Sequence, residues 1–204
     1  MMKRPIILTF LFWLALAAQS ARCNDSTAEG RGPLSTGLYF GELYEKTYLD
    51  VIFHPSSIDL TSSYIVAVNA DYRFYKWPSA PLQFDGEFDV VKHFGQAQQY
   101  EVVLAPFLRW SAFPWNRYLY TNLRASVLGS SYTTGVSPWE RQNSGNDKGS
   151  NYLQFGALEL TFAADEHSSG EFFIRVHHRS GIYGLINGVG GGSSYLSVGY
   201  RVFM

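Results

Sequence analysis

The segment Val176-His177-His178-Arg179-Ser180-Gly181 holds the residue types best suited to chemistry at the shortest useful spacing. In an extended strand, residues two apart project from one face. His178 and Ser180 therefore lie side by side, while His177 and Arg179 point the other way with Arg175. A serine hydroxyl becomes an effective nucleophile when a neighbouring base takes its proton, and a histidine beside it can be that base for attack on an ester. Other candidates are poorer. Cys23 is the sole cysteine, so it supports neither an internal disulfide nor a cysteine metal cluster, and Arg22 before it disfavours lipidation. His54 and His93 read as isolated, with no metal-ligand spacing to another histidine. The run from Gly188 to Gly192 lacks the strand-loop-helix setting and the lysine of a phosphate-binding loop. Nothing in the sequence points to a cofactor or a metal.

The elements that must position His178 and Ser180 read as strands, because apolar and polar residues alternate along most of the chain. Tyr64, Val66, Val68, Ala70, Tyr72 and Phe74 share one parity, and Ser63, Ile65, Ala67, Asn69, Asp71 and Arg73 the other. The next segment sets Phe84, Phe88 and Val90 against Asp85, Glu87, Asp89 and His93. Three acids on one strand face need cations, which later strands supply at Arg124 and Arg175; these, with Glu159, read as interior ion-pair partners. Strands are expected at residues 36–45, 63–77, 82–94, 100–110, 118–131, 152–163, 171–181 and 194–203. Pro106 falls inside the fourth and cannot donate to the ladder, so a bulge or local gap is expected there.

Residues 1–20 read as a secretory signal, with Lys3 and Arg4 ahead of an apolar run that is too short to span a bilayer comfortably. Residues 21–35 form a polar segment, and residues 36–204 the folded unit. The formal net charge is −1 with charged residues at 16%, so no polyanion-binding patch is indicated and nucleic acid is excluded as a partner. Aromatics reach 17% of the chain and Gly numbers 19, which suits strands and turns better than helices. Connections fall into a short class (76–81, 113–117, 164–170) and a long class (46–62, 132–150), placed at opposite ends. Trp77, Trp110, Phe113, Trp115 and Tyr118 gather at the short-turn end.

The same alternation suits a soluble periplasmic barrel or sandwich whose apolar face turns inward. Loop asymmetry, aromatic clustering and the closing Tyr200-Arg201-Val202-Phe203 favour an all-β fold of another kind, an antiparallel up-and-down transmembrane β-barrel of about eight strands in the outer membrane. Tyr64, Val68, Tyr72, Phe88, Ile174 and Val198 should then face lipid. Asp71, Asp85, Glu87, Arg124, Glu159 and Arg175 should face the lumen.

On that fold His178 and Ser180 sit on the apolar parity of the seventh strand, at the outer-leaflet end, where lipopolysaccharide acyl esters are found. At these residues the chain resembles the PagL family of lipid A 3-O-deacylases, eight-stranded outer-membrane barrels with a His-x-Ser motif near the end of the seventh strand. The resemblance implies His178 as base and Ser180 as nucleophile of a serine esterase acting on lipid A, with the bilayer and its lipopolysaccharide as partners. Two departures stand out. Gly181-Ile182 replace the Asn-Ala that follows the family's serine, and the family's glutamate at the start of the last strand has Ser194 as its nearest counterpart. A barrel that does no chemistry and serves as a structural or surface-interaction protein is the other expectation, favoured by that missing acid.

Overall fold

A computed structural model of the chain describes residues 31–45 and 58–204. The signal segment, Cys23 and His54 lie outside those residues. Eight strands follow one another: β1 (Leu34–Tyr44), β2 (Leu60–Lys76), β3 (Leu82–Phe94), β4 (Tyr100–Trp110), β5 (Tyr120–Thr133), β6 (Tyr152–Ala163), β7 (Gly170–Ser180) and β8 (Gly192–Phe203). Each pairs antiparallel with its neighbours and β8 closes onto β1, so the sheet is a barrel with no free edge. Between β5 and β6 lies one short helix, α1 (Pro138–Gln142), started by the Ser137 hydroxyl, which accepts from the Glu140 amide at 3.4 Å.

The strand expectations hold with ends shifted by a few residues, β8 starting at Gly192 rather than Ser194. The facing expectations hold as well. Asp71, Asp85, Glu87, Arg124, Glu159 and Arg175 are buried in the lumen. Val68, Tyr72, Phe88 and Ile174 are exposed on the wall, and Tyr64 and Val198 are half-buried there. This inversion, charges inside and aliphatic and aromatic side chains outside, matches a sheet solvated by hydrocarbon rather than water.

Pro106 keeps its partner Gly86 on β3, while pairing with β5 shifts register between Leu104 and Leu108. The compensating irregularity on β5 lies between Ser126 and Gly129. There Val127 and Leu128 are 72% and 79% exposed, so consecutive side chains both face outward, which only an inserted residue permits. At the end bearing the 77–81 and 111–119 turns, Trp110, Phe113 and Trp115 pack in series as tilted rings with centroids 4.7 and 4.9 Å apart.

The lumen holds a network of ion pairs beside a buried cluster that includes Ile65, Phe107, Phe155 and Phe173. Arg175 spans Glu87 (2.7 Å) and Glu159 (2.7 Å from Nε), Arg124 reaches Glu159 (2.8 Å), Asp71 and Glu87, and Arg201 joins Glu159 (3.0 Å) to Glu171 (2.8 Å). A guanidinium carries five donors in a planar fork and can serve carboxylates from several strands at once, which a lysine ammonium on its flexible stem does less well. Arg124 also lies over the Phe107 ring at 4.4 Å, and Arg175 over Tyr39 at 4.9 Å.

Candidate functional site

β7 carries polar residues on both faces near its end, and the two sets have different surroundings. Inward, His177 meets the Tyr39 hydroxyl at 3.1 Å and both oxygens of Glu101 at 3.2 Å. Arg179 donates to Ser131 Oγ at 2.8 Å, to Thr133 Oγ1 at 3.3 Å and to the Asn151 carbonyl at 3.2 Å, and pairs with Glu140 of α1. Ser193 Oγ donates to that same Glu140 at 2.8 Å. Burial raises the Glu140 carboxyl above its ordinary range, while the Arg179 charge pulls it back. The helix thus caps the lumen and fixes, from inside, residues flanking the outward pair.

Outward, His178 and Ser180 are half-buried on the wall. His178 pairs across to Ser194 on β8, and its Nδ1 lies 2.8 Å from Ser194 Oγ. A further hydrogen bond ties the imidazole to the backbone of Ser193. On the other side its cross-strand partner is Gly156, which presents no side chain to the ring. The Ser180 hydroxyl accepts from the Ile182 amide at 3.0 Å. Period-two spacing on β7 brings the two side chains onto one face, and the β7–β8 ladder brings Ser194 to the ring.

Past Ser180 the chain turns sharply: Ile182, Tyr183 and Gly184 all have left-handed φ, at 49°, 54° and 95°. A β-branched residue with positive φ is a strained choice, and such strain clusters at functional positions. Gly181 is needed because a Cβ there would stand 1.9 Å from the Val189 carbonyl oxygen of the returning chain. Ile182 belongs to this turn, because β7 ends at Ser180. The turn is strapped to the 134–151 loop, with Asn146 donating to the Gly188 carbonyl at 2.8 Å and Asn187 to Ser150 Oγ and the Tyr152 carbonyl at 2.9 Å.

Of the residues singled out from sequence, His178, Ser180 and Ser194 therefore come together on one outer face. His93 does not stand alone. Its Nε2 lies 2.7 Å from Glu101 Oε2 and its Nδ1 3.2 Å from the Tyr195 hydroxyl, so His93 and His177 share one carboxylate inside the barrel. The two lie far apart in sequence on non-adjacent strands, so no local spacing announces the pair. Glu140 was equally silent, since a polar loop carries no periodic signal. Among the described residues no cluster of His, Cys, Asp and Glu is arranged to hold a metal.

No protein-family profile matches the chain, and no curated protein matches it. Solved structures do. The crystal structure of the outer membrane enzyme PagL superposes with a TM-score of 0.58 at 14% identity, over 83% of this chain and 99% of that one. Neisserial surface protein A follows with a TM-score of 0.45 at 10% identity, over 86% of this chain and 100% of that one. The Yersinia pestis outer membrane protein Ail gives 0.38 at 13% identity, over 85% and 99%. At these identities the likeness is one of fold, the eight-stranded outer-membrane barrel.

Proposed function

We propose that the chain is an exported outer-membrane serine esterase of the PagL kind that cleaves an acyl ester of lipid A at the outer leaflet. The observation that carries this is the placement of His178 and Ser180 on one lipid-facing surface, with the imidazole Nδ1 held 2.8 Å from Ser194 Oγ. A polar pair on an apolar wall is costly unless it is used, and a membrane-facing nucleophile fits an ester presented by a lipid. The fold shared with an outer membrane enzyme is consistent with it.

In this mechanism Ser180 Oγ attacks the ester carbonyl carbon as its proton passes to His178, giving a tetrahedral adduct. The adduct collapses to acyl-Ser180, and the leaving alkoxide takes the proton from His178. Water, deprotonated by the same imidazole, then releases the fatty acid and restores Ser180. Ser194 holds the ring in orientation throughout. A buried carboxylate does this more strongly in the Ser-His-Asp triad, so Ser194 by itself supports a slower enzyme.

Mass spectrometry of lipid A from cells carrying the wild-type chain should show loss of one acyl chain, restored in full by Ser180→Ala. An unaltered lipid A profile with well-folded wild-type barrel in the membrane sinks the proposal. The non-catalytic reading would then stand, as a barrel whose ion-paired interior serves only rigidity.

A further inference from the structure

Resting on that esterase reading, we infer that Glu42 of β1 is a positioning carboxylate for His178, acting through the Ser194 hydroxyl. Glu42 has the outward parity of Leu38 and Phe40, whereas Tyr39 and Leu43 on the opposite parity pack in the core. It is thus a carboxylate on the apolar wall, with Tyr64 and Leu196 as its directly opposite neighbours on β2 and β8. Among the described residues its carboxylate has no hydrogen-bond or ion-pair partner. An ionisable group in that setting is expensive, and it is retained where it has a use.

The register supplies the use. Leu196 sits opposite Glu42, and Ser194 is two residues before Leu196 on the same face of β8. Ser194 is therefore the diagonal cross-strand neighbour of Glu42, a separation of roughly 7–8 Å that a long side chain can bridge. A serine hydroxyl has one proton and two lone pairs. Ser194 Oγ can accept from the ring Nδ1 and donate its own proton to a carboxylate. Ser180 and His178 on β7, Ser194 on β8 and Glu42 on β1 then form a line across three adjacent strands, running over the closure of the barrel. No proton need move beyond the imidazole: the carboxylate polarises Ser194 and favours the imidazolium that forms when Ser180 attacks. The acid missing from the start of the last strand is present one strand away, through one intervening hydroxyl.

The test uses the full mature barrel in detergent with a short-chain ester probe, and 15N-histidine NMR of the His178 ring in the inactive Ser180→Ala background. Glu42→Gln is expected to lower kcat about tenfold with KM within about twofold, since the carboxylate acts in the charged transition state rather than on binding. It is also expected to move the acid limb of the pH–kcat profile by roughly half a pH unit or more. The ring nitrogen shifts of His178 should change with Glu42→Gln. Adding Ser194→Glu to Glu42→Gln, which moves the carboxylate onto the last strand, should recover the lost kcat. Ring shifts indifferent to Glu42→Gln, or an unchanged kcat and pH profile, overturn the inference. Absence of ester cleavage by the wild type would remove the esterase reading instead, and the ring shifts would still decide whether Glu42 is coupled to His178.

Discussion

Two polar regions of this barrel, separated only by the thickness of one sheet, are built on opposite plans. In the lumen Arg109, Arg124, Arg175 and Arg201 share Asp71, Asp85, Glu87, Asp89, Glu159 and Glu171, and most of these charges meet two or more partners. On the outer wall His178, Ser180, Ser194 and Glu42 stand among aliphatic and aromatic side chains. The lumenal network compensates buried charge with buried charge and leaves each group one low-energy arrangement, which makes a scaffold. The wall residues face a space a lipid can enter, and their hydroxyl and imidazole groups keep the capacity to exchange protons. Dense ion pairing marks the lumen and sparse pairing the wall.

That contrast can be broken at four points. The largest effect should come from Ser180→Ala, which on the esterase reading lowers ester cleavage on the order of 10⁴-fold or more while leaving heat-modifiable migration on gels unchanged. Activity surviving this change would deny the wall its chemical role. Next, Arg175→Ala removes one of the three guanidinium groups that Glu87 and Glu159 share, leaving the buried acids in excess, and should cost about 3–5 kcal/mol in denaturant unfolding from detergent. The barrel that still folds should cleave at close to the wild-type rate, because Arg175 faces away from the site. A stability loss under about 1 kcal/mol would mean the network is not the scaffold.

A smaller loss, about 1–3 kcal/mol, is expected for Glu140→Ala, which strips Arg179 and Ser193 of their shared acceptor. Limited proteolysis should then cut the 134–151 loop sooner. Protection equal to wild type would show that α1 does not cap the lumen. The mildest effect belongs to Ser194→Ala, roughly tenfold or about 1.4 kcal/mol in kcat with no change in folding, since the Ser193 backbone still ties the ring. A kcat equal to wild type would leave the Ser194–His178 hydrogen bond without consequence.

The strand count, the inside and outside of nearly every strand, and the neighbourhood of His178 and Ser180 were legible in the order of residues alone. The side-chain period of a strand is two, so alternation read along the chain fixes which residues share a face before any pairing is known. Pro106 announced its irregularity because a proline has no amide proton for the ladder. Ser194 was reached as a neighbour of His178 only through the family resemblance, which implied a partner at the start of the last strand, and outward parity then selected it. Which residues meet across strands emerged with the folded barrel. The convergence of His93 and His177 on Glu101, the reach of Glu140 from a loop into the lumen and the diagonal relation of Glu42 to Ser194 all depend on register and barrel closure. Those are set by the summed pairing of eight strands, and local sequence periodicity carries no information about partners distant in the chain.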